Sequence, residues 1–281
     1  MENSEAVKIE TDLRQTPEYG RFLERVGWKT VQVAGRQMFL RKLGPVKIAK
    51  MQRVDLPIPV ADMERIFRQE KIIMCKLEPR EGQSEEKLKE LKKLGFAQDK
   101  WPLLGAKTLR VNIRPAAEAL MSSFKKDARY CLKKALAAAV DIKLNDWGVF
   151  YDTWKKAAKN KDLWIPPKKD VQALQEAFGE KCFCLTAGKM AGVVVIVVMQ
   201  TAYYYYSAAL PEAKKLQLPY RMVWEGMREA KNRGALVWDF EGIYDKRWPT
   251  KGWKGFTHFK KSFGGVEIEF PGSFIKWRWP F

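Results

Sequence analysis

The sequence predicts an α/β chain, α+β in its strand order, of two tandem modules, each a mixed sheet flanked by helices. Three observations predict it. At 281 residues the chain exceeds the usual reach of a single core. Its hydrophobic content of 46% and aromatic content of 12% are those of a folded protein rather than a solvated tail. The order helix, three strands, helix, strand can be read twice along it, although the halves share no sequence identity. The implied modules are residues 1–113 with 266–281, and residues 114–265, with a cleft between them of the kind in which ligands bind.

The first half opens on Thr16-Pro17-Glu18, which supplies an N-cap oxygen, a proline at the first helical position and an acid in the first turn. Tyr19, Phe22, Leu23 and Val26 then form an apolar face before Gly27 ends the helix. Strands follow at Thr30–Ala34, Gln37–Lys42 and Val46–Arg53, separated by Gly35 and by Gly44-Pro45. A helix over Val60–Gln69 leads to a strand at Lys71–Leu77. Ser84 caps a further helix stopped by Gly95, and a strand at Thr108–Ile113 closes the half. The second half reads as helices, strands Lys181–Ala187, Gly192–Gln200 and Ala202–Ala208, a helix Pro219–Arg233 and a strand Ala235–Phe240.

Charge points either to a class of partner or to a soluble protein with an unusually basic surface. Fifty-two Lys plus Arg against thirty-three Asp plus Glu leave a net charge of +19, a field that attracts phosphates of nucleic acid, nucleotide-sugars or membrane lipid. Cys75, Cys131, Cys182 and Cys184 lie in apolar or helical stretches without CxxC spacing, which points to a reduced, cytosolic chain. Met1–Glu10 is polar and does not read as a secretory signal. The longest apolar run, Ala191–Met199, falls far short of the ~20 residues that span a bilayer.

Several constellations carry candidate chemistry. Glu118–Ala139 reads as one helix, with Leu120, Phe124, Ala128, Cys131 and Ala135 on one arc and Lys125, Lys126, Arg129, Lys133 and Lys134 on the other. That cationic face is either solvated surface or a phosphate contact. Tyr203–Tyr206 lie on a strand, so alternation puts Tyr204 and Tyr206 on one side and Tyr203 and Tyr205 on the other; one pair faces a ligand or both pack. The only histidine, His258, leaves little room for a His-based relay or metal site, and neither a Walker loop nor GxGxxG is present. Lys260, between Phe259 and Phe263-Gly264-Gly265, is either a surface lysine or a partly desolvated ammonium that stabilises an oxyanion or pairs with a carboxylate.

These segments together resemble the Fem family, the aminoacyl-tRNA-dependent transferases that add amino acids to peptidoglycan stem peptides. The resemblance runs over nearly the whole chain. It rests on Thr16-Pro17-Glu18-Tyr19, on Phe124-Lys125-Lys126-Asp127-Ala128-Arg129-Tyr130, on Leu218-Pro219-Tyr220 with Trp224-Glu225, and on Asp239-Phe240-Glu241-Gly242-Ile243 followed by Phe259-Lys260-Lys261-Ser262-Phe263-Gly264. It implies two modules similar to GCN5-related acetyltransferases, with the C-terminal segment returning to the first. It further implies direct attack of a substrate amine on an aminoacyl ester, with no metal, no cofactor beyond aminoacyl-tRNA as co-substrate, and no covalent enzyme intermediate. Lys260 matches the family's C-terminal lysine, and Tyr204 or Tyr206 its strand tyrosine. With Lys214, Tyr220 and Glu241 these make the expected substrate site, while Lys125, Lys126, Arg129, Lys133 and Lys134 make the expected tRNA contact. The implied partners are aminoacyl-tRNA and a nucleotide- or lipid-linked muropeptide, in the cytoplasm and with peripheral contact to an anionic inner membrane face.

Two departures from the family pattern stand out. Where members that bind a nucleotide-linked precursor carry an Arg or His and a Tyr four residues apart, this chain has Pro166 and Asp170, with Lys161, Lys168 and Lys169 nearby as point charges. The heptad insertion of the larger members is missing, so the chain resembles their compact form. The rival readings are an acyl-CoA-dependent N-acyltransferase, for which Leu210–Pro219 lacks the glycines of a pyrophosphate turn, and a non-catalytic RNA-binding protein.

Overall fold

The computed structural model describes residues 7–249 and 252–278, and the chain divides into two compact units. The first is built mainly on Thr11–Lys107. Its helix α1 (Pro17–Arg25) begins as its residues dictate: the Thr16 hydroxyl oxygen accepts the Tyr19 N–H at 3.3 Å. Strands β1 (Lys29–Val33), β2 (Arg36–Leu43) and β3 (Val46–Val54) form an antiparallel meander. Helix α2 (Val60–Gln69) then carries the chain over to β4 (Ile72–Pro79), which runs parallel to β3. Ser84 caps α3 (Glu85–Lys93), and β5 (Ala97–Gln98) is a short edge strand. Met38, Leu40, Met51, Leu77, Met63, Phe67 and Phe96 pack between sheet and helices.

The second unit is built mainly on Thr108–Ile243. In chain order it holds β6 (Lys107–Asn112), α4 (Ala117–Ser123), α5 (Lys126–Ala137), β7 (Ile142–Leu144), α6 (Trp147–Lys159), α7 (Lys168–Phe178), β8 (Cys182–Ala187), β9 (Ala191–Val198) and β10 (Thr201–Ala209). There follow α8 (Pro211–Lys215), α9 (Leu218–Asn232), β11 (Val237–Asp239), α10 (Trp253–Lys261) and β12 (Val266–Glu269). Every residue of β9 is buried because helices cover both its faces, α9 on one side and α6 on the other. That is why the longest apolar run is a central strand. Among the described residues no helix is long and apolar enough to cross a membrane.

The last strand, β13 (Phe274–Trp277), pairs antiparallel with β4 of the first sheet. The sheet orders are β1-β2-β3-β4-β13-β5 and β12-β6-β11-β10-β9-β8-β7. Within them β1-β2-β3-β4-β13 and β8-β9-β10-β11-β6 follow one plan: an antiparallel meander, a parallel strand reached through a helix, and an antiparallel closing strand. The repeat of element order is therefore a repeat of topology.

Two expectations are corrected. The strand at Thr108–Ile113 does not close the first sheet; as β6 it pairs with β11, because Leu109, Val111 and Ile113 bury their side chains in the second unit's core. The boundary accordingly falls before Thr108 rather than after Ile113, and β12 lies beside β6 while only β13 joins the first sheet. The helix at Glu118–Ala139 is two helices. Ser123 turns its hydroxyl onto the Leu120 carbonyl at 2.7 Å, competing with the helical ladder. Phe124 takes extended geometry to reach Trp224 and Phe263, and the Lys125 N–H bonds the Ser262 carbonyl at 2.9 Å.

The turn between α10 and β12 leaves no space for a side chain. Gly265 has φ +96°, and a Cβ there would stand 2.4 Å from the Arg110 carbonyl oxygen. Replacing Gly265 with alanine is expected to destabilise the protein by roughly 2 kcal/mol or more, from strain plus backbone overlap. A lowered urea midpoint at unchanged m-value would register it.

Candidate active site

The site begins at a buried ion pair. Arg110 on β6 and Asp239 on β11 face each other across neighbouring strands, with Nε to Oδ2 at 2.8 Å and side chains only 1% and 4% exposed. The Thr108 hydroxyl donates to Asp239 Oδ1 at 2.6 Å, and the Glu241 N–H donates to the same oxygen at 2.8 Å. Burial works against the charge on Asp239, but Arg110 and these donors outweigh it and hold the carboxyl below its ordinary range. The bond to Glu241 folds the chain back two residues after the aspartate, with Glu241 at φ +64° and Gly242 at φ +149°.

That turn presents its carbonyls to α10. Lys260 Nζ donates to the Phe240 and Gly242 oxygens, each at 2.7 Å. It lies 4.9 Å from the Phe256 ring centroid and 5.8 Å from that of Tyr204. Burial lowers its pKa to about 8, against the opposing pull of Glu241 and Asp239. An ammonium has three N–H bonds; two are committed to the turn, and Lys260 also lines a cavity beside it. That cavity, about 350 Å³, is lined by Tyr204, Tyr205, Ser207, Phe240, Glu241 and Lys260 among others.

A second cavity of about 500 Å³ shares Lys161, Tyr204, Ser207, Phe256 and Phe259 with the first, and extends to Lys214, Gln217 and Tyr220. Tyr220 packs its ring on Phe259 at 4.9 Å and Phe263 at 5.6 Å. Burial raises its pKa, as the nearby Cys131 does too. Burial also pushes the Tyr204 phenol up to about 12, although it hydrogen-bonds Ser207, so the hydroxyl keeps its proton. Lys260, Tyr204, Lys214, Tyr220 and Glu241 thus lie around two adjoining cavities within the second unit.

Tyr206 is not with them. A β-bulge at Tyr205 shifts the pairing, so that Tyr204 opposes Val195 while Tyr206 opposes Val194. The extra residue puts the two on opposite faces. Tyr204 packs with Trp238 and Phe240, whereas Tyr206 stacks on Trp154 of α6 at 4.4 Å. Simple alternation therefore fails here, and the bulge turns Tyr205 toward the first cavity instead.

The cationic helix is smaller than expected. Lys125, Lys126, Lys133 and Lys134 are exposed around α5. Arg129 instead folds its guanidinium onto the carbonyls of Phe124 and Ser122, capping the break before the helix. His258 is exposed and lines neither cavity. Sequence reasoning missed Arg110, Ser207, Trp253 and Phe256 as site residues. The aromatic spacing Trp253-Phe256-Phe259 on α10 is the one signal that pointed to the latter two.

The class follows from this architecture: a two-module α/β protein whose sheets share one strand plan, with a lysine-walled cavity in the second. The crystal structure of FemX superposes with a TM-score of 0.79 over 99% of this chain and 95% of that chain, at 16% identity. L-PGS from Bacillus licheniformis does so at 0.60 over 96% and 94%, with 10% identity. The C-terminal domain (DUF2156) of a putative lysylphosphatidylglycerol synthetase from Agrobacterium fabrum gives 0.58 over 94% and 88%, with 9% identity. At these identities the likeness is one of fold. Residues 186–280 match the model of the FemAB family, and the Fem resemblance drawn from the motifs is borne out. No curated protein matches the chain in sequence.

Asp239→Asn leaves Arg110 buried without its counter-charge and is expected to cost roughly 3–5 kcal/mol of stability, measurable by denaturant titration. Because the folded pKa of Asp239 is depressed, its contribution is present above the ordinary value of 3.8 and is lost as pH falls below it. The variant's stability should therefore depend less on pH in that acid range than the parent's does.

Proposed function

We propose that the chain is an aminoacyltransferase that moves an amino acid from aminoacyl-tRNA to an amine of a peptidoglycan-precursor stem peptide in the cytoplasm. One observation carries the reading: a desolvated lysine, fixed by the Phe240 and Gly242 carbonyls, stands at a cavity wall. The family match supports the substrate class. In the proposed step the neutral amine attacks the ester carbonyl carbon and a C–N bond forms. The carbonyl oxygen becomes an oxyanion that accepts the remaining N–H of Lys260. Collapse breaks the C–O bond to the tRNA ribose, and the proton lost by the amine ends on the ribose hydroxyl. An ester needs no further activation, so the protein's share is positioning and charge stabilisation, with no metal or further cofactor. Tyr204, Lys214, Tyr220 and Glu241 line the space the substrates would occupy, and the exposed lysines of α5 would meet tRNA phosphates.

An acyl-CoA donor fits less well. The stretch between β10 and α9 holds no glycine and is spent on α8 and the left-handed Gln217, rather than on a turn of free amides. A purely RNA-binding chain would show no turnover.

Transfer of labelled amino acid from a charged tRNA pool to muropeptide acceptors, read by mass spectrometry, tests the reaction. Lys260→Ala is expected to lower kcat by roughly 10²-fold with KM little changed; full activity in that variant would remove Lys260 from the mechanism. The ammonium is the working form. Its contribution should therefore fade as pH rises through about 8, as an alkaline limb in kcat that Lys260→Ala lacks.

A further inference from the structure

The loop between α6 and α7 displays an apolar pair in the open: Leu163 is 60% exposed and Trp164 82%. Large apolar side chains scattered singly are ordinary, but an adjacent pair held out by a built loop is not. The loop is built. The Leu163 N–H reaches back to the Ala158 carbonyl at 3.0 Å, with Asp162 in the left-handed region at φ +50°. The Tyr151 hydroxyl donates to the Pro166 carbonyl at 3.2 Å, and Pro166-Pro167 stiffen the descent into α7.

Cations flank the pair in sequence. Lys155, Lys156, Lys159, Lys161, Lys168 and Lys169 are all exposed, against Asp162 and Asp170 over residues 155–170. None of the six lysines forms an ion pair with a described residue. Lys168 and Lys169 sit in the first turn of α7, where the helix dipole disfavours positive charge. Helix stability does not explain them there.

We infer that the Lys161–Pro167 loop is a docking element for an anionic lipid bilayer: Leu163 and Trp164 enter the headgroup boundary while the flanking lysines meet lipid phosphates. A Trp beside an aliphatic residue within a basic stretch is the composition of an interfacial anchor. Nucleic acid would use the indole and the lysines, but an exposed Leu adds nothing to base stacking. The net charge of +19 favours the same surface at long range. Lys161 also lines both cavities, so docking by this loop brings their mouths to the bilayer, where an acceptor carried on a lipid is concentrated. The inference goes beyond the transferase reading and is measured without any reaction.

The test is co-sedimentation of the full chain with vesicles of phosphatidylcholine alone and of equimolar phosphatidylcholine and phosphatidylglycerol. The parent should partition onto the anionic vesicles, less so as salt rises, and only weakly onto the neutral ones. Leu163→Ser with Trp164→Ser should reduce that partition by roughly tenfold or more, and Lys168→Gln with Lys169→Gln should reduce it and flatten its salt dependence. Unchanged thermal unfolding of both variants would show them folded. Equal partition of the Leu163/Trp164 variant and the parent overturns the proposal. So does a variant that keeps vesicle binding but loses binding to an unstructured RNA homopolymer, which would assign the loop to nucleic acid.

Discussion

The candidate site hangs on the Arg110–Asp239 pair. A guanidinium and a carboxylate removed from water are costly, and the cost is offset only where geometry is tight and the remaining acceptor positions are filled. Both conditions are met through Thr108 and the Glu241 N–H. The pair belongs to strands far apart in the chain but adjacent in the sheet. It therefore sets the register of β6 on β11 and, through its last acceptor position, the turn that follows. The Phe240 and Gly242 carbonyls point at α10 for that reason, and Lys260 has its place because they do. A lysine positioned in this way inherits the rigidity of a sheet although it sits on a short helix near a loop.

Much of this was legible in the residues. Helix starts at Thr16 and Ser84, the meanders and the buried run of β9 follow from capping chemistry and apolar period. The Phe-Lys-Lys-Ser-Phe-Gly-Gly run offered a partly desolvated Lys260 as one of two readings, beside a plain surface lysine. What could not be read was set by neighbours distant in sequence. The bulge at Tyr205 exists only in relation to β9, and its effect is to reverse the facing of every side chain beyond it. Arg110 looked like one more cation in a basic chain until β11 supplied its counter-charge. Arg129, placed by helical period among the phosphate-facing cations, is drawn inward by carbonyls that a broken helix left unsatisfied.

The two units use one strand plan to different ends. In the second, helices cover both faces of the meander, and cavities lie beside the bulge and the turn. In the first, buried residues on β3 and β4 include Gln52, Arg53 and Glu78, with Glu78 accepting the Leu103 and Leu104 N–H groups. Burial raises the Glu78 pKa, although Arg53 and these donors oppose it. Buried polar groups thus sit where the parallel strand meets the meander in the first sheet and where it meets the closing strand in the second.

The closing strands also impose an order in time. β6 is synthesised before the meander it completes, so the second sheet has all its strands once β12 has been made. The first sheet does not. The edge of β4 that β13 covers stays bare, with unpaired amides and carbonyls, while the whole second unit is translated. The N-terminal unit, made first, is therefore the one that finishes last, inverting the usual vectorial sequence of domain folding. During that interval it presents an open strand to any other nascent chain, and a factor that shields such edges would act on this half of the molecule.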